Sequence, residues 1–245
     1  MAFQIQPLRE FLVRPALPPA LARMSQLAYN VFWAWEPTIR ALFIRLDPAL
    51  WNACGHNPVA MLGQVPQATL EKAAADPRYL ALYRRACERY DAYMHSAGSS
   101  DQKKLIAYFS MEYGIVECLP TYSGGLGVLS GDFLKACSDA DVPVVAVGLL
   151  YQTGYLQQYL NPDGWQQERY HLNDFYTLPV SPVQDASGAD LKVQVALPTG
   201  TVHIKVWVMD VGRVRLYLLD TNIPENDRPE HREITRALYG GDIHT

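Results

Sequence analysis

The chain has 245 residues, 49% of them hydrophobic and 19% charged, with a formal net charge of −4. Such a composition supports a globular core and offers no basic field to steer the chain to nucleic acid or anionic lipid. The length suits two smaller domains, or one domain and part of another.

Cys54, Cys87, Cys118 and Cys137 are widely spaced with no C-x-x-C pair, which argues against a zinc site or a disulfide framework and for four buried free thiols in a reducing compartment. Met1 to Val13 has no signal-peptide core, and the longest strongly apolar stretch, Val142 to Tyr151, is too short to span a bilayer. The expectation is a soluble, cytoplasmic protein with neither a nucleic-acid nor a membrane partner.

The first ninety-odd residues read as helical. Leu21, Met24, Leu27, Ala28, Val31 and Phe32 recur at three- and four-residue steps until Pro37 breaks the run. Thr38 to Leu46 restarts it, and Asp47-Pro48 ends it. Gln67 to Ala75 forms a further short helix, and Pro77 opens a long one with Leu80, Tyr83, Cys87, Tyr90 and Met94 on one stripe. Ala97 to Lys104 is small, polar and charged, as a linker is. The division expected is a helical domain, 1–97, and a second unit, 98–245.

Beyond the linker the period changes. Leu105 to Met111 reads as a strand, Gly124 to Asp139 as a helix, and Val142 to Leu150 as a buried parallel strand; together they make a βαβ unit. Hairpins follow. Tyr155 to Tyr159 and Gln166 to Tyr170 flank the turn Asn161-Pro-Asp-Gly164, and Leu191 to Leu197 turns back at Pro198-Thr-Gly200. Val202, Ile204, Val206 and Val208 share one strand face, and Val214, Leu216 and Leu218 another. These hairpins read as an antiparallel insertion or extension attached to the parallel sheet. A helix over Pro229 to Tyr239 is stopped by Gly240-Gly241. With a single crossover in view, the expectation is either an unusually small fold or a truncated one.

The segment Ser123-Gly-Gly-Leu-Gly-Val-Leu-Ser-Gly-Asp132 carries the most chemistry. Glycines at a loop–helix join can take positive φ and bring backbone N–H groups close to an anion, with the positive helix end behind them. A tight structural turn explains the same glycines equally well. The segment is neither G-x-G-x-x-G nor a P-loop, so it does not indicate a nucleotide specifically.

Ala107-Tyr-Phe-Ser-Met-Glu-Tyr-Gly114, Tyr122 to Asp132, Asp139-Ala-Asp-Val-Pro143, Val147-Gly-Leu-Leu-Tyr151, Gln152-Thr-Gly-Tyr155 and Asp163-Gly-Trp-Gln-Gln-Glu-Arg-Tyr170 together resemble the glycogen and α-glucan phosphorylases. Asn30, Trp33, Trp35 and Trp51-Asn52 resemble the helical domain that one branch of that family carries in front. The resemblance covers nearly the whole chain. It implies an α/β fold: an N-terminal all-α domain, then an incomplete Rossmann-like lobe of a two-lobe glycosyltransferase with antiparallel hairpins.

It also implies phosphorolysis of terminal α-1,4-glucosyl residues of glycogen or maltodextrin to glucose 1-phosphate. The partners would be an α-1,4-glucan and inorganic phosphate, with homo-oligomers and allosteric control left open. The implied cofactor is pyridoxal phosphate on a lysine beyond Thr245, so that the chain alone is inactive and supplies no catalytic residue. Gly124, Gly125, Leu126 and Gly127 would contact phosphate and glucosyl, with Glu112 near the same cleft or simply holding the loop. Val128 stands where animal and plant-type members place Arg, and Phe133 where close relatives place His.

Two other functions fit parts of the pattern. A glycogen or starch synthase carries a similar loop but a Lys shortly before it, where Tyr122-Ser123 stand here. A non-catalytic glucan-binding fragment is the other. Trp33, Trp35 and Trp51 read as core more readily than as sugar platforms, and Trp165 as packed beneath its hairpin. His171 and His203 have no second ligand at metal spacing, so no metal site is expected. Arg84-Arg85 read as a solvated face.

Overall fold

The computed structural model describes residues 15–96, 101 and 104–238. The expected stop at Gly240-Gly241 and all of the expected linker except Asp101 and Lys104 lie outside the described residues.

Four helices begin at an acid- or amide-proline step. They are α2 (Pro37–Leu46), α3 (Pro48–Ala53), α4 (Pro58–Gln64) and α6 (Pro77–His95), preceded by Glu36, Asp47, Asn57 and Asp76. Each of these four side chains accepts an N–H from the turn it precedes: Thr38, Leu50, Val59 with Ala60, and Arg78. Proline has no N–H to leave unpaired, its φ is preset, and the capping oxygen satisfies an orphan donor. Pro37 therefore starts a helix rather than only breaking one, and Asp47-Pro48 starts α3 as it ends α2. Neither α3 nor α4 is foreseen in the sequence reading.

α5 (Gln67–Ala75) and α6 run as expected. The first run does not continue to Phe32: α1 (Met24–Tyr29) stops at Asn30, and a 3-10 turn covers Val31–Ala34. Leu21, Met24, Leu27, Leu42, Phe43, Met61 and Leu70 are fully buried in the module's core, with Trp33 and Trp51 among them. These tryptophans are core, as expected.

The second unit is built on a six-stranded sheet and one separate hairpin. The strands are β1 (Ile106–Phe109), β2 (Val144–Leu149), β3 (Gln157–Leu160), β4 (Gln166–Arg169), β5 (Ser181–Pro182), β6 (Lys192–Leu197), β7 (Gly200–Val211) and β8 (Val214–Asp220). The sheet runs β1-β2-β8-β7-β5, with β6 also on β7; β3 and β4 form the hairpin. β1, β2 and β8 are parallel, and the remaining pairs antiparallel. With α7 (Gly125–Ala140) between β1 and β2, the expected βαβ unit is present. Of the expected hairpins, β6, β7 and β8 extend the same sheet, with β8 returning beside β2 as a third parallel strand, while β3 and β4 form the separate pair. This is an α/β arrangement with mixed strand directions.

Three local expectations change. Trp165 is 72% exposed, and every residue of β3 and β4 is exposed with it. Cys87 and Cys137 are buried, but Cys54 and Cys118 are only half-buried; all four thiols are free. The last helix shortens to α8 (Pro229–Arg232) and a 3-10 turn (Glu233–Thr235). Gln152 and Thr153 donate their N–H groups to the carbonyls of Thr235 and Arg236, which a longer helix would need for itself.

The helical module is tied firmly to the sheet. Buried Asn30 donates to the Gly212 carbonyl (2.9 Å) and accepts from the N–H groups of Gly212 (3.0 Å) and Phe32 (3.1 Å). Trp35 donates to Asp139, and Tyr93 bonds Ser138 and Asp139. The Arg213 guanidinium lies 4.3 Å over the Tyr93 ring, at the turn between β7 and β8. Among the described residues no helix is long and apolar enough to cross a membrane.

Candidate functional site

The chain leaves β1 at Phe109, makes an irregular passage, and enters α7 at Gly125. The passage therefore lies outside the carboxyl end of a parallel strand, where open α/β sheets hold their ligands. Ser110 and Glu112 open it. The Ser110 hydroxyl donates to the Glu112 carbonyl (2.9 Å), and Ser130 of α7 donates to Ser110 (2.9 Å). Tyr113 is buried at the centre; its hydroxyl faces the Val147 carbonyl at 3.0 Å, and burial pushes its phenol pKa upward.

Glu112 is 2% exposed, and its carboxylate accepts the Ser123 N–H (3.1 Å) and the Ser123 hydroxyl (3.3 Å). It holds the loop from behind, as a strand-end carboxylate would. The Gly114 N–H donates to the Gly127 carbonyl at 2.8 Å, a second tie across the passage.

The loop glycines take a different geometry from the one anticipated. Gly124 is extended (φ −151°, ψ −155°), Gly125 to Gly127 form the first turn of α7, and none of the three glycines has a positive φ. They also divide in role. A Cβ on Gly127 would collide with the Tyr122 Cβ and lie 2.9 Å from a Glu112 carboxylate oxygen. A Cβ on Gly124 or Gly125 would meet nothing within 4 Å. No side chain caps α7. The first N–H groups of a helix have no intrahelical acceptor, so they constitute a donor array with partial positive charge.

Leu126 (52% exposed), Val128, Leu129 and Phe133 are exposed on α7, as are Phe109 at the end of edge strand β1 and Met111 just beyond it. The structure thus brings Glu112 and Gly127 into one contact and leaves Gly124, Gly125 and Leu126 at an open surface. The sequence reading misses Ser123 and Tyr122 as the residues through which Glu112 and Gly127 act. The only signal for them is their place next to the glycines.

Helices packed on a mixed sheet, with a glycine-led helix joining two parallel strands, place the chain among the α/β proteins. Comparison with known proteins narrows the class. Residues 17–119 match a family described as "Protein of unknown function (DUF3417)", a span that runs from the helices past β1. The chain is 45% identical over 96% of its length to a glycogen phosphorylase of Mycobacterium tuberculosis (strain ATCC 25618 / H37Rv). It is 39% identical over 87% of its length to a glycogen phosphorylase of Aquifex aeolicus, and 35% identical over 94% to a maltodextrin phosphorylase of Thermococcus litoralis. It spans 28%, 31% and 28% of the lengths of these relatives. The chain is a homologue of the N-terminal part of the glycogen and maltodextrin phosphorylases.

Proposed function

We propose that this chain supplies one wall of the catalytic cleft of an α-glucan phosphorylase, a cytoplasmic glycosyltransferase that cleaves terminal α-1,4-glucosyl residues with inorganic phosphate. The described unit after the linker is then the beginning of the first of two Rossmann-like lobes. Gly124, Gly125, Leu126 and Gly127 present backbone donors to the phosphate and glucosyl groups, where negative charge builds up in the transition state. Glu112 positions that loop through Ser123.

The observation that carries the reading is the division among the glycines. Gly127 is required by its neighbours, whereas nothing among the described residues requires Gly124 and Gly125 to lack a Cβ. A ligand approaching from the open side does. The exposed apolar side chains beside β1 and on α7 support a second body packed near the same place.

Pyridoxal phosphate, when bound, supplies a phosphate group that can hold and return a proton. The described lysines do not fit its attachment: the only buried one among them, Lys205, is ion-paired with Asp190 at 2.6 Å and lies over Trp207 in β7. On this reading the cofactor lysine belongs to another part of the complete enzyme, and the chain alone is expected to form no pyridoxyl adduct on borohydride reduction.

The decisive test is Gly125→Ala in the complete enzyme. Losing one preorganised donor costs about 3 kcal/mol, roughly a hundredfold in rate. With helical φ and open space at this position, the thermal midpoint should hold or rise. Unchanged turnover would remove Gly125 from the site.

The division at 97/98 is part of the same proposal. Limited trypsin digestion should cut at Lys104 before Arg84 or Arg85. These two arginines are exposed, as a solvated face is, but lie within the regular α6. Early cleavage within α6 would argue against the division.

A further inference from the structure

We infer that the cleft between the helical module and the α/β lobe is a second ligand site, one that takes a phosphorylated small molecule such as a sugar phosphate. A cavity of about 590 Å³ lies there, walled by residues of α2 and α3 on one side and by Gly114 to Glu117, Tyr122 and Lys135 on the other. That is the size of a small-ligand pocket and well beyond the needs of a bare phosphate. Its floor is apolar, with the buried rings of Trp33 and Trp51 beside Ile115.

The polar groups on its walls carry an uneven charge. Glu117, its one carboxylate, is already engaged by His56 Nδ1 at 2.9 Å, while His56 Nε2 faces Asn52 Oδ1 at 3.2 Å and the imidazole stacks on Trp51. His56 reaches this position from a turn in which both it and Gly55 have φ 60°. Arg40 has no carboxylate partner among the described residues, and Lys135 has only Asp132, at 3.8 Å. Two cations with charge to spare thus open onto one partly enclosed, apolar-floored cavity. A guanidinium and an ammonium so placed suit a phosphate dianion, and the apolar floor suits the carbon body attached to it.

The cavity is separate from the open face of the glycine loop but shares its back wall. Tyr122 lines the cavity and also packs against Gly127, and Gly114 lines it while donating to the Gly127 carbonyl. An occupant would press on the segment that fixes the first turn of α7. The inference does not depend on the loop being catalytic.

Calorimetric titration of the full chain tests it, with glucose 1-phosphate, inorganic phosphate and neutral glucose as the three probes. Glucose 1-phosphate should bind more tightly than either of the others. Arg40→Gln and Lys135→Gln should each weaken it roughly tenfold at an unchanged thermal midpoint, and Gly125→Ala should leave it unaffected. The inference falls if glucose binds equally well, if phosphate alone binds equally well, if both charge variants bind as wild type, or if no heat is seen at millimolar ligand. It also falls if Gly125→Ala alone abolishes binding, an outcome that would move the anion to the loop and leave the proposed function standing.

Discussion

The starts of α2, α3, α4 and α6 and the start of α7 solve the same problem in opposite ways. Each of the first four has a carboxylate or amide side chain folded onto its N-terminal donors and a proline where a further donor would be. α7 has glycine in the capping position, no side-chain acceptor, and glycine at its first and third helical residues. In the module these four helix starts are closed internally, which favours rigidity, whereas α1 and α5 carry no side-chain cap. At α7 the donors stay available to something from outside, at some cost in intrinsic helix stability. Because α5 also starts without a side-chain cap, a bare end alone marks nothing; what sets α7 apart is its glycine lead-in at the end of a parallel strand, and substitution there tests its role.

Substitutions can break this comparison in graded fashion. The largest effect should come from Gly127→Ala, where the new methyl group meets Tyr122 and Glu112. Overpacking of this kind costs about 1–3 kcal/mol, so urea unfolding should show a clear drop in midpoint. A stable Gly127→Ala protein would mean that the passage from Glu112 to Ser123 is looser than the hydrogen bonds indicate.

Next should come the caps. Asn57→Ala removes the acceptor for Val59 and Ala60 and also the donor to the Thr177 carbonyl, a tie between module and lobe. Loss of about 1–2 kcal/mol is expected. Asp47→Ala, which removes a cap alone, should cost about 1 kcal/mol. Equal losses would show that the Thr177 bond adds nothing.

The smallest effect concerns Asp91, paired with Arg23 by two hydrogen bonds of 2.6 and 2.8 Å. The Arg23 hydrogen bond holds the Asp91 pKa below the ordinary carboxylate value. A depressed folded-state pKa stabilises the fold above the unfolded value, near about 3.9, and that stability disappears as pH falls through the folded value. Because both side chains are well exposed, the contribution should stay below about 1 kcal/mol. The difference in thermal midpoint between wild type and Asp91→Asn should therefore be small at pH 7 and vanish in strong acid. A difference that persists there would assign the effect to packing.

Much of this protein was legible in its residues because the signals are local. Helical periodicity placed α5 and α6, the Asn-Pro-Asp-Gly turn placed β3 and β4, and the glycine segment placed the start of α7. α3 is missed because Asp47-Pro48 reads only as a stop, when an Asp-Pro step is equally a capped start, and the Asn57-Pro58 step that starts α4 goes unread. The role of Glu112 was half legible: a carboxylate after a strand can cap a loop or face a ligand, and only the tertiary structure shows it buried and bonded to Ser123.

By itself, then, the sequence determined the order of elements, the change from helix to sheet and the kinship with the phosphorylases. Backbone propensity and side-chain spacing act over a few residues and are written along the chain. Tertiary structure alone decided that β8 lies parallel to β2, that Asn30 clasps Gly212, and that Gly127 is sterically required while Gly125 is not. Those outcomes depend on groups as far as 182 positions apart competing for the same space and the same hydrogen bonds, and no local pattern encodes that competition.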